Sequence, residues 1–258
     1  MQYETILYDV ADEIATITLN RPEVMNGLNP QMRADLLHAM RRAPAEARAV
    51  VLTGAGRGFC SGQDLGERKR VSDIDLERVL REEYEPLLRA IADCPVPTIA
   101  AVNGAAAGAG ANLALAADVV IAARSAFFMQ AFSRIGLIPD AGGTYWLPRQ
   151  IGLARAMGAA LFAERISAEQ AESWGMIWQA VPDDSFAAEV RRRALQLAQG
   201  PTEAYRRIKT ALRESFDNDL GAQLDLEARL QGEAGQTRDF VEGVLAFMEK
   251  RPPRFEGR

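Results

Sequence analysis

Apolar and polar positions alternate along EIATITL (13–19) and, less strictly, over 4–9, so both segments read as strands joined as a hairpin through Ala11-Asp12. The period then changes. Asn29-Pro30 offers an N-cap and a first-turn proline, and QMRADLLHAMRR behind it carries apolar residues at helical spacing. AVVLTG (49–54), TIAAVNG (98–104) and DVVIAA (118–123) are short apolar runs of the kind buried on both faces of a sheet. Helical patterns over about 74–92 and over GANLALAA (110–117) separate them.

This succession predicts an α/β fold with an open, mostly parallel sheet flanked by helices. After about residue 150 the pattern turns mainly helical. Ser167-Ala-Glu-Gln170 is a capping box, Gly200-Pro201 marks a break, and helices are expected across 201–216, 219–233 and 237–249 before an extended, polar RPPRFEGR. The expected organisation is a core over 1–195 and a helical region over 196–258, which packs on the core or on a neighbouring subunit.

Composition narrows the classes. The 258 residues are 48% hydrophobic and 25% charged, as in a globular protein with a sizeable core, and a net charge of -5 argues against a nucleic-acid partner. No apolar run approaches the roughly 20 residues needed to span a bilayer, and MQYETILYDV lacks the features of a signal peptide, so a cytoplasmic location without a membrane partner is expected. The two cysteines, Cys60 and Cys94, suit neither a disulfide scaffold nor a zinc site. A single histidine, His38, lies on the first helix as a surface residue. Acid–base chemistry, if present, therefore rests on carboxylates.

Three glycine-bearing loops follow strands: TGAGRGFCSG, NGAAAGAG and GLIPDAGG. In sheets of this kind ligands gather at the loops beyond the carboxyl ends of the strands. The Walker pattern is absent. GAGRGFCSGQDL (54–65) and NGAAAGAGANLALA (103–116) can each turn backbone N–H groups toward a ligand, and together they suit an oxyanion hole; the plainer alternatives are an ordinary loop and tight alanine–glycine helix packing. Asp140, between a proline and two glycines, has good turn and helix-cap chemistry, and local pattern alone favours the cap.

Taken in order, these loops resemble the crotonase family, also called the enoyl-CoA hydratase/isomerase superfamily. The resemblance is carried by LNRPEVMNGLN (19–29), LTGAGRGFCSGQDL (52–65), AAVNGAAAGAGANLALAADVVIAA (100–123) and FSRIGLIPDAGGTYWLPRQIG (132–152). ISAEQAESWGMIWQAV (166–181) and FMEKRPPRF (247–255) extend it over essentially the whole chain. It implies a spiral of ββα turns with a C-terminal helical trimerisation region, trimers that commonly pair into hexamers, and acyl-CoA thioester substrates. No separate cofactor or metal is implied, because coenzyme A belongs to the substrate.

By that resemblance the enolate-stabilising N–H groups map to Gln63, after Ser61-Gly62, and to Ala109, between Gly108 and Gly110. The neighbouring Asp64 and Leu65 would line the substrate. The two glutamates usual in hydratases map to Asn112 and Phe132, neither of which can act as a carboxylate acid or base. Asp140 stands where some isomerases and a dehalogenase branch of the family place a catalytic aspartate, which reverses the local preference for a cap. Ile138 and Tyr145, with Trp146, are candidates for the acyl pocket; Phe247, Lys250, Arg254 and Phe255 are candidates to reach coenzyme A, or else a solvated charge cluster.

A narrower resemblance, in AFSRIGLIPDAGGTYWLPR, ISAEQAESWGMIWQ and QLDLEARLQ (223–231), is to the ring-epoxide isomerase branch acting on phenylacetyl-CoA derivatives. The expectation is an isomerase for a ring-1,2-epoxyphenylacetyl-CoA or a 3-enoyl-CoA, using Asp140. The alternatives are a hydratase, a thioester hydrolase or dehalogenase, and a non-catalytic acyl-CoA-binding protein.

Overall fold

The computed structural model describes residues 3–64, 66 and 75–258. Its strands are β1 (Ile6–Ala11), β2 (Ile14–Leu19), β3 (Ala49–Gly54), β4 (Gly58–Cys60) and β5 (Thr98–Val102), then β6 (Ala105–Ala107), β7 (Val119–Ala123), β8 (Phe127–Met129), β9 (Ile166–Ser167) and β10 (Gln179–Val181). Six of them form one sheet in the order β1-β2-β3-β5-β7-β10. Only β1 and β2 pair antiparallel; the rest of that sheet is parallel. A smaller sheet, β4-β6-β8-β9, lies beside it and is parallel except at its last pair.

Each repeat sends a strand through the large sheet, turns, adds a short strand to the small sheet and leaves as a helix. After β5 and β6 that helix is α4 (Ala109–Leu115); after β3 and β4 it is the run that includes α2 (Leu76–Val79), a π turn (Leu80–Tyr84) and α3 (Glu85–Ala92). This is the spiral of ββα turns that the resemblance implied. All five residues of β5 are buried, so its apolar run needs no alternation. The small sheet was not legible as strands. Segments such as AAA (105–107) and GFC (58–60) are too short to show a period.

The first hairpin also differs from expectation. Its turn is Asp12-Glu13, not Ala11-Asp12, and both residues are left-handed at φ 52° and 59°. Two positive φ values match the twist of a two-residue hairpin even where neither residue is glycine.

The helices otherwise follow the sequence. Asn29 caps α1 (Pro30–Arg42), accepting from the Met32 N–H at 2.8 Å, and Ser167 caps α6 (Ala168–Ser173) through the Gln170 N–H at 3.1 Å. Between them, α5 spans Gly143–Phe162 and is kinked at Gly152. α7 spans Phe186–Ala198, across position 195/196, and the helix break expected at Gly200-Pro201 follows it.

Beyond that break, α8 (Thr202–Glu214) is tied to the core by Lys209 and Arg213, which pair with Asp118 at 2.7 and 2.8 Å. α9 (Leu220–Ala234) packs on α8, and α10 (Arg238–Glu249) follows. The final octapeptide is docked. Arg48 donates to the Phe255 and Gly200 carbonyls, and the buried Asp239 accepts from the N–H groups of Glu256 and Gly257 at 2.7 and 2.9 Å. Among the described residues no helix is long and apolar enough to cross a membrane.

Candidate active site

The first glycine loop is held by the segment before α1. Asn26, fully buried, donates from its amide to the carbonyls of Ala55, Gly58 and Phe59, and its own oxygen accepts from the Arg21 N–H. Ser61 donates its N–H to Met25 at 2.9 Å, Leu28 donates to Gly62 at 2.8 Å, and Leu28 bridges to Gln63. Thus RPEVMNGLN clamps the loop from below.

The second glycine loop meets it edge to edge. Gly62 has φ +91°, and a Cβ there would stand 2.8 Å from the Ala107 oxygen and 3.2 Å from the Ala109 nitrogen. Only glycine allows both the left-handed turn and that approach. Gly110 sits equally close to Cys60: an added Cβ would lie 2.7 Å from the Cys60 Cβ. Gly108 is the N-cap of α4 and Ala109 its first residue, so the amide end of that helix abuts the Gly62-Gln63 peptide. The structure therefore brings Gln63 and Ala109 together.

Asp140 is not a helix cap. The N-cap of α5 is Gly142, with no side-chain capping bond, and Ala141 and Gly142 make a left-handed turn at φ 48° and 81°. The Asp140 main-chain oxygen is held twice, by the Gly143 N–H at 2.8 Å and by Nδ2 of Asn112 at 2.7 Å. Oδ1 of Asp140 is buried and has no hydrogen-bond partner. Burial pushes its pKa up to about 6, opposed only by its own backbone N–H.

A cavity of about 750 Å³ opens at Asp140, lined by Ile138, Tyr145 and Trp146 together with Leu80 and Tyr84. Ile138 is 77% exposed and forms its rim, whereas Phe132 is buried and its ring tip faces Gly108. Tyr145 stands edge-on to Trp146, under the Arg149 guanidinium at 3.7 Å. Among the described residues, the first two glycine loops do not themselves line this cavity. They reach it through two side chains: Asn112, which runs from α4 to Asp140, and Tyr84, whose ring is in the wall and whose hydroxyl donates to Oε1 of Gln63 at 2.6 Å.

Asn112 and Asp64, beside the site, both have protein partners. Asn112 is fully buried, with Nδ2 on the Asp140 carbonyl and Oδ1 accepting from Gln130 at 2.8 Å. The Asp64 carboxylate pairs with Arg21 at 2.8 Å and accepts from the Gly66 N–H. Leu65 lies outside the described residues. Ser61 is exposed and donates to the Val24 carbonyl at 3.3 Å.

Cys60 is fully buried with its thiol pushed up to about 12, which rules it out as a nucleophile. His38 is exposed and bonded to the Tyr3 hydroxyl at 2.8 Å, far in sequence from any of the loops. In the tail, Phe255 packs on Gly243 and the Arg254 N–H donates to Glu242. Phe247 is 85% exposed.

The sequence reading missed Arg33 and Tyr84. Arg33 is 1% exposed although it is charged, and it lies on the same buried face of α1 as Met32 and Leu36. An arginine inside an apolar stripe was the available signal.

With this geometry the comparisons with known proteins agree. Residues 9–258 match the enoyl-CoA hydratase/isomerase family. The chain belongs to that family. It is 65% identical, over the full length of both chains, to a Rhodobacter capsulatus protein named "Probable enoyl-CoA hydratase". It is 49% identical to the 1,2-epoxyphenylacetyl-CoA isomerase of Escherichia coli, covering 99% of each chain. The crystal structure of an enoyl-CoA hydratase from Bacillus anthracis superposes with a TM-score of 0.91 at 34% identity, covering 99% of this chain and 100% of that one. Membership of this family makes the protein an enzyme of the hydratase/isomerase class, with which an acyl-CoA thioester substrate is consistent.

Proposed function

We propose that the protein is an acyl-CoA isomerase with Asp140 as its acid–base group, acting on a 3-enoyl-CoA or on a ring-1,2-epoxyphenylacetyl-CoA. The observation that carries this reading is the unpartnered Oδ1 of Asp140 in the cavity wall, beside positions where Asn112 and Phe132 supply no second carboxylate. The 49% identity to an epoxyphenylacetyl-CoA isomerase supports it.

In this reading the thioester oxygen sits between the N–H groups of Gln63 and Ala109. Loss of the proton alpha to the thioester moves negative charge onto that oxygen, where each preorganised donor contributes on the order of 3 kcal/mol. The Asp140 carboxylate takes the proton and returns it to another carbon. A pKa near 6 suits a group that must both accept and give back a proton near neutrality. Hydration is the second reading, favoured by the name of the relative at 65% identity; in it Asp140 alone would handle the water. A trimer or hexamer belongs to the same proposal, supported by exposed Leu153, Leu161 and Phe162 on α5 and Phe240 on α10.

The deciding experiment incubates the protein with trans-3-hexenoyl-CoA and, separately, with crotonyl-CoA, beside the Asp140→Asn variant. Isomerisation to the 2-enoyl product, lost in the variant, is the expected result. Efficient hydration of crotonyl-CoA with no isomerisation would reverse the assignment.

A further inference from the structure

The side chain of Gln63 does something no backbone donor requires of it. Its Oε1 accepts from two buried groups at once: the Tyr84 hydroxyl at 2.6 Å and Nη1 of Arg33 at 3.1 Å. Arg33 is itself fixed. Nη1 also donates to the Leu28 carbonyl at 2.7 Å, and Nε and Nη2 hold the Glu83 carboxylate at 2.9 and 2.5 Å. Its guanidinium stands 5.0 Å from the centre of the Tyr84 ring. Arg33 and Tyr84 are 1% and 3% exposed.

Glu83 and Tyr84 are consecutive, and both must face α1 and the glycine loop. The π turn Leu80–Tyr84 ends on them, between α2 and α3. The wider π turn advances less per residue than the regular helix, so it re-aims side chains at its end, and such turns recur at functional sites.

We propose that Tyr84 and Arg33 are positioning residues for catalysis: by gripping Oε1 of Gln63 they fix the Gly62-Gln63 peptide and so set how well its N–H meets the developing thioester oxyanion. This rests on the reading of Gln63 as an oxyanion donor. On one side of that peptide the Gly62 carbonyl is held by the Leu28 N–H at 2.8 Å. A side chain anchored at its far end by a charged and a phenolic donor adds a constraint on the other side, at charge-assisted strength from Arg33. Burial keeps the Tyr84 phenol protonated, because it lies well above its usual range, with the Arg33 cation opposing. Because the Tyr84 ring also walls the Asp140 cavity, an acyl group pressing on that wall would bear on the brace of the oxyanion donor.

The test uses Tyr84→Phe, which keeps the ring, and Gln63→Ala, which keeps the peptide N–H, singly and together. Turnover of trans-3-hexenoyl-CoA is measured, and the carbonyl stretch of bound [1-13C]hexanoyl-CoA is read by infrared difference spectroscopy. Tyr84→Phe is expected to lower kcat on the order of tenfold with KM within about twofold, less than the hundredfold or more of losing a donor outright. The carbonyl shift should shrink in parallel, and Tyr84→Phe should cost nothing further in the Gln63→Ala background. An unchanged kcat and carbonyl shift in Tyr84→Phe would overturn the proposal, as would an equal loss in both backgrounds. A wild-type complex without any carbonyl shift would overturn the oxyanion reading itself, and this proposal with it.

Discussion

The amide of Asn112 donates to the main-chain oxygen of Asp140 at 2.7 Å, inside a region where Asn112 has no exposed surface. A side chain from the helix that begins at Ala109 thus anchors the turn that carries the free carboxylate. In the proposed mechanism this one hydrogen bond joins the helix that offers an oxyanion donor to the turn that offers the base.

Asn112→Ala should therefore damage the fold and the chemistry together. It leaves the Asp140 carbonyl with one donor and strands the Gln130 amide, whose Oε1 is already unpartnered. We expect a loss of about 1–3 kcal/mol, read as a lower denaturation midpoint. We also expect a fall in kcat that exceeds any change in KM. An unaffected kcat would show that the turn holds Asp140 without Asn112.

The raised pKa of Asp140 gives two opposite pH trends. As a base it must be ionised, so kcat/KM should climb about tenfold per pH unit below about 6 and level off above it. Stability should run the other way. The folded pKa lies above the unfolded value near 4, so the native state binds more protons between the two. The contribution of this group is therefore greatest below about pH 4, declines as pH rises to about 6, and stays low beyond. Asp140→Asn should be more stable than the wild type at pH 7, by roughly 1–3 kcal/mol, while inactive. Denaturant titrations at pH 4 and pH 7 would check the sign: the gap must widen with pH.

Gly62→Ala places a Cβ 2.8 Å from the Ala107 oxygen on a backbone at φ +91°. Either cost alone is about 1–3 kcal/mol. The contact pushes the two glycine loops apart where the proposed oxyanion donors stand. We expect activity reduced on the order of a hundredfold, with acyl-CoA binding weakened in an equilibrium titration. A variant of normal activity would place the oxyanion donors elsewhere.

The thiols should be silent. Cys60 is fully buried, with its thiol pushed up to about 12, and Cys94 is buried as well. Ellman's reagent at pH 8 should label neither in the native protein and both in denaturant. Rapid native labelling of one thiol would mark a local opening of the loop or of the segment before β5.

Much of this architecture was legible in the chain. The strands β3, β5 and β7 announce themselves as unbroken apolar runs, and the caps Asn29 and Ser167 behave as their side chains dictate. The meeting of Gly62 with Ala109 was not visible in spacing, because residues separated in sequence are brought together only by stacking one spiral turn on the next. Nor could spacing show that Asn112 and Asp64 spend hydrogen bonds on Asp140, Gln130 and Arg21. Polar residues beside a site look like ligand contacts until the protein partners that consume their hydrogen bonds are seen. Asp140 was the reverse case: its neighbours spelled a cap, and the two left-handed residues after it moved the capping role to Gly142.

The docking of the final octapeptide has a consequence for the order of assembly. Arg48 and the Phe255 carbonyl it holds are separated by 207 residues, yet the entropy of closing so long a loop grows only with the logarithm of its length. The clasp is therefore cheap once the sheet exists, and out of reach before it does. Until it closes, Asp239 is a carboxylate waiting for the two N–H groups of Glu256 and Gly257, so the last few residues act as a seal applied to a finished body. Clipping them should leave the spiral intact and loosen α10 first.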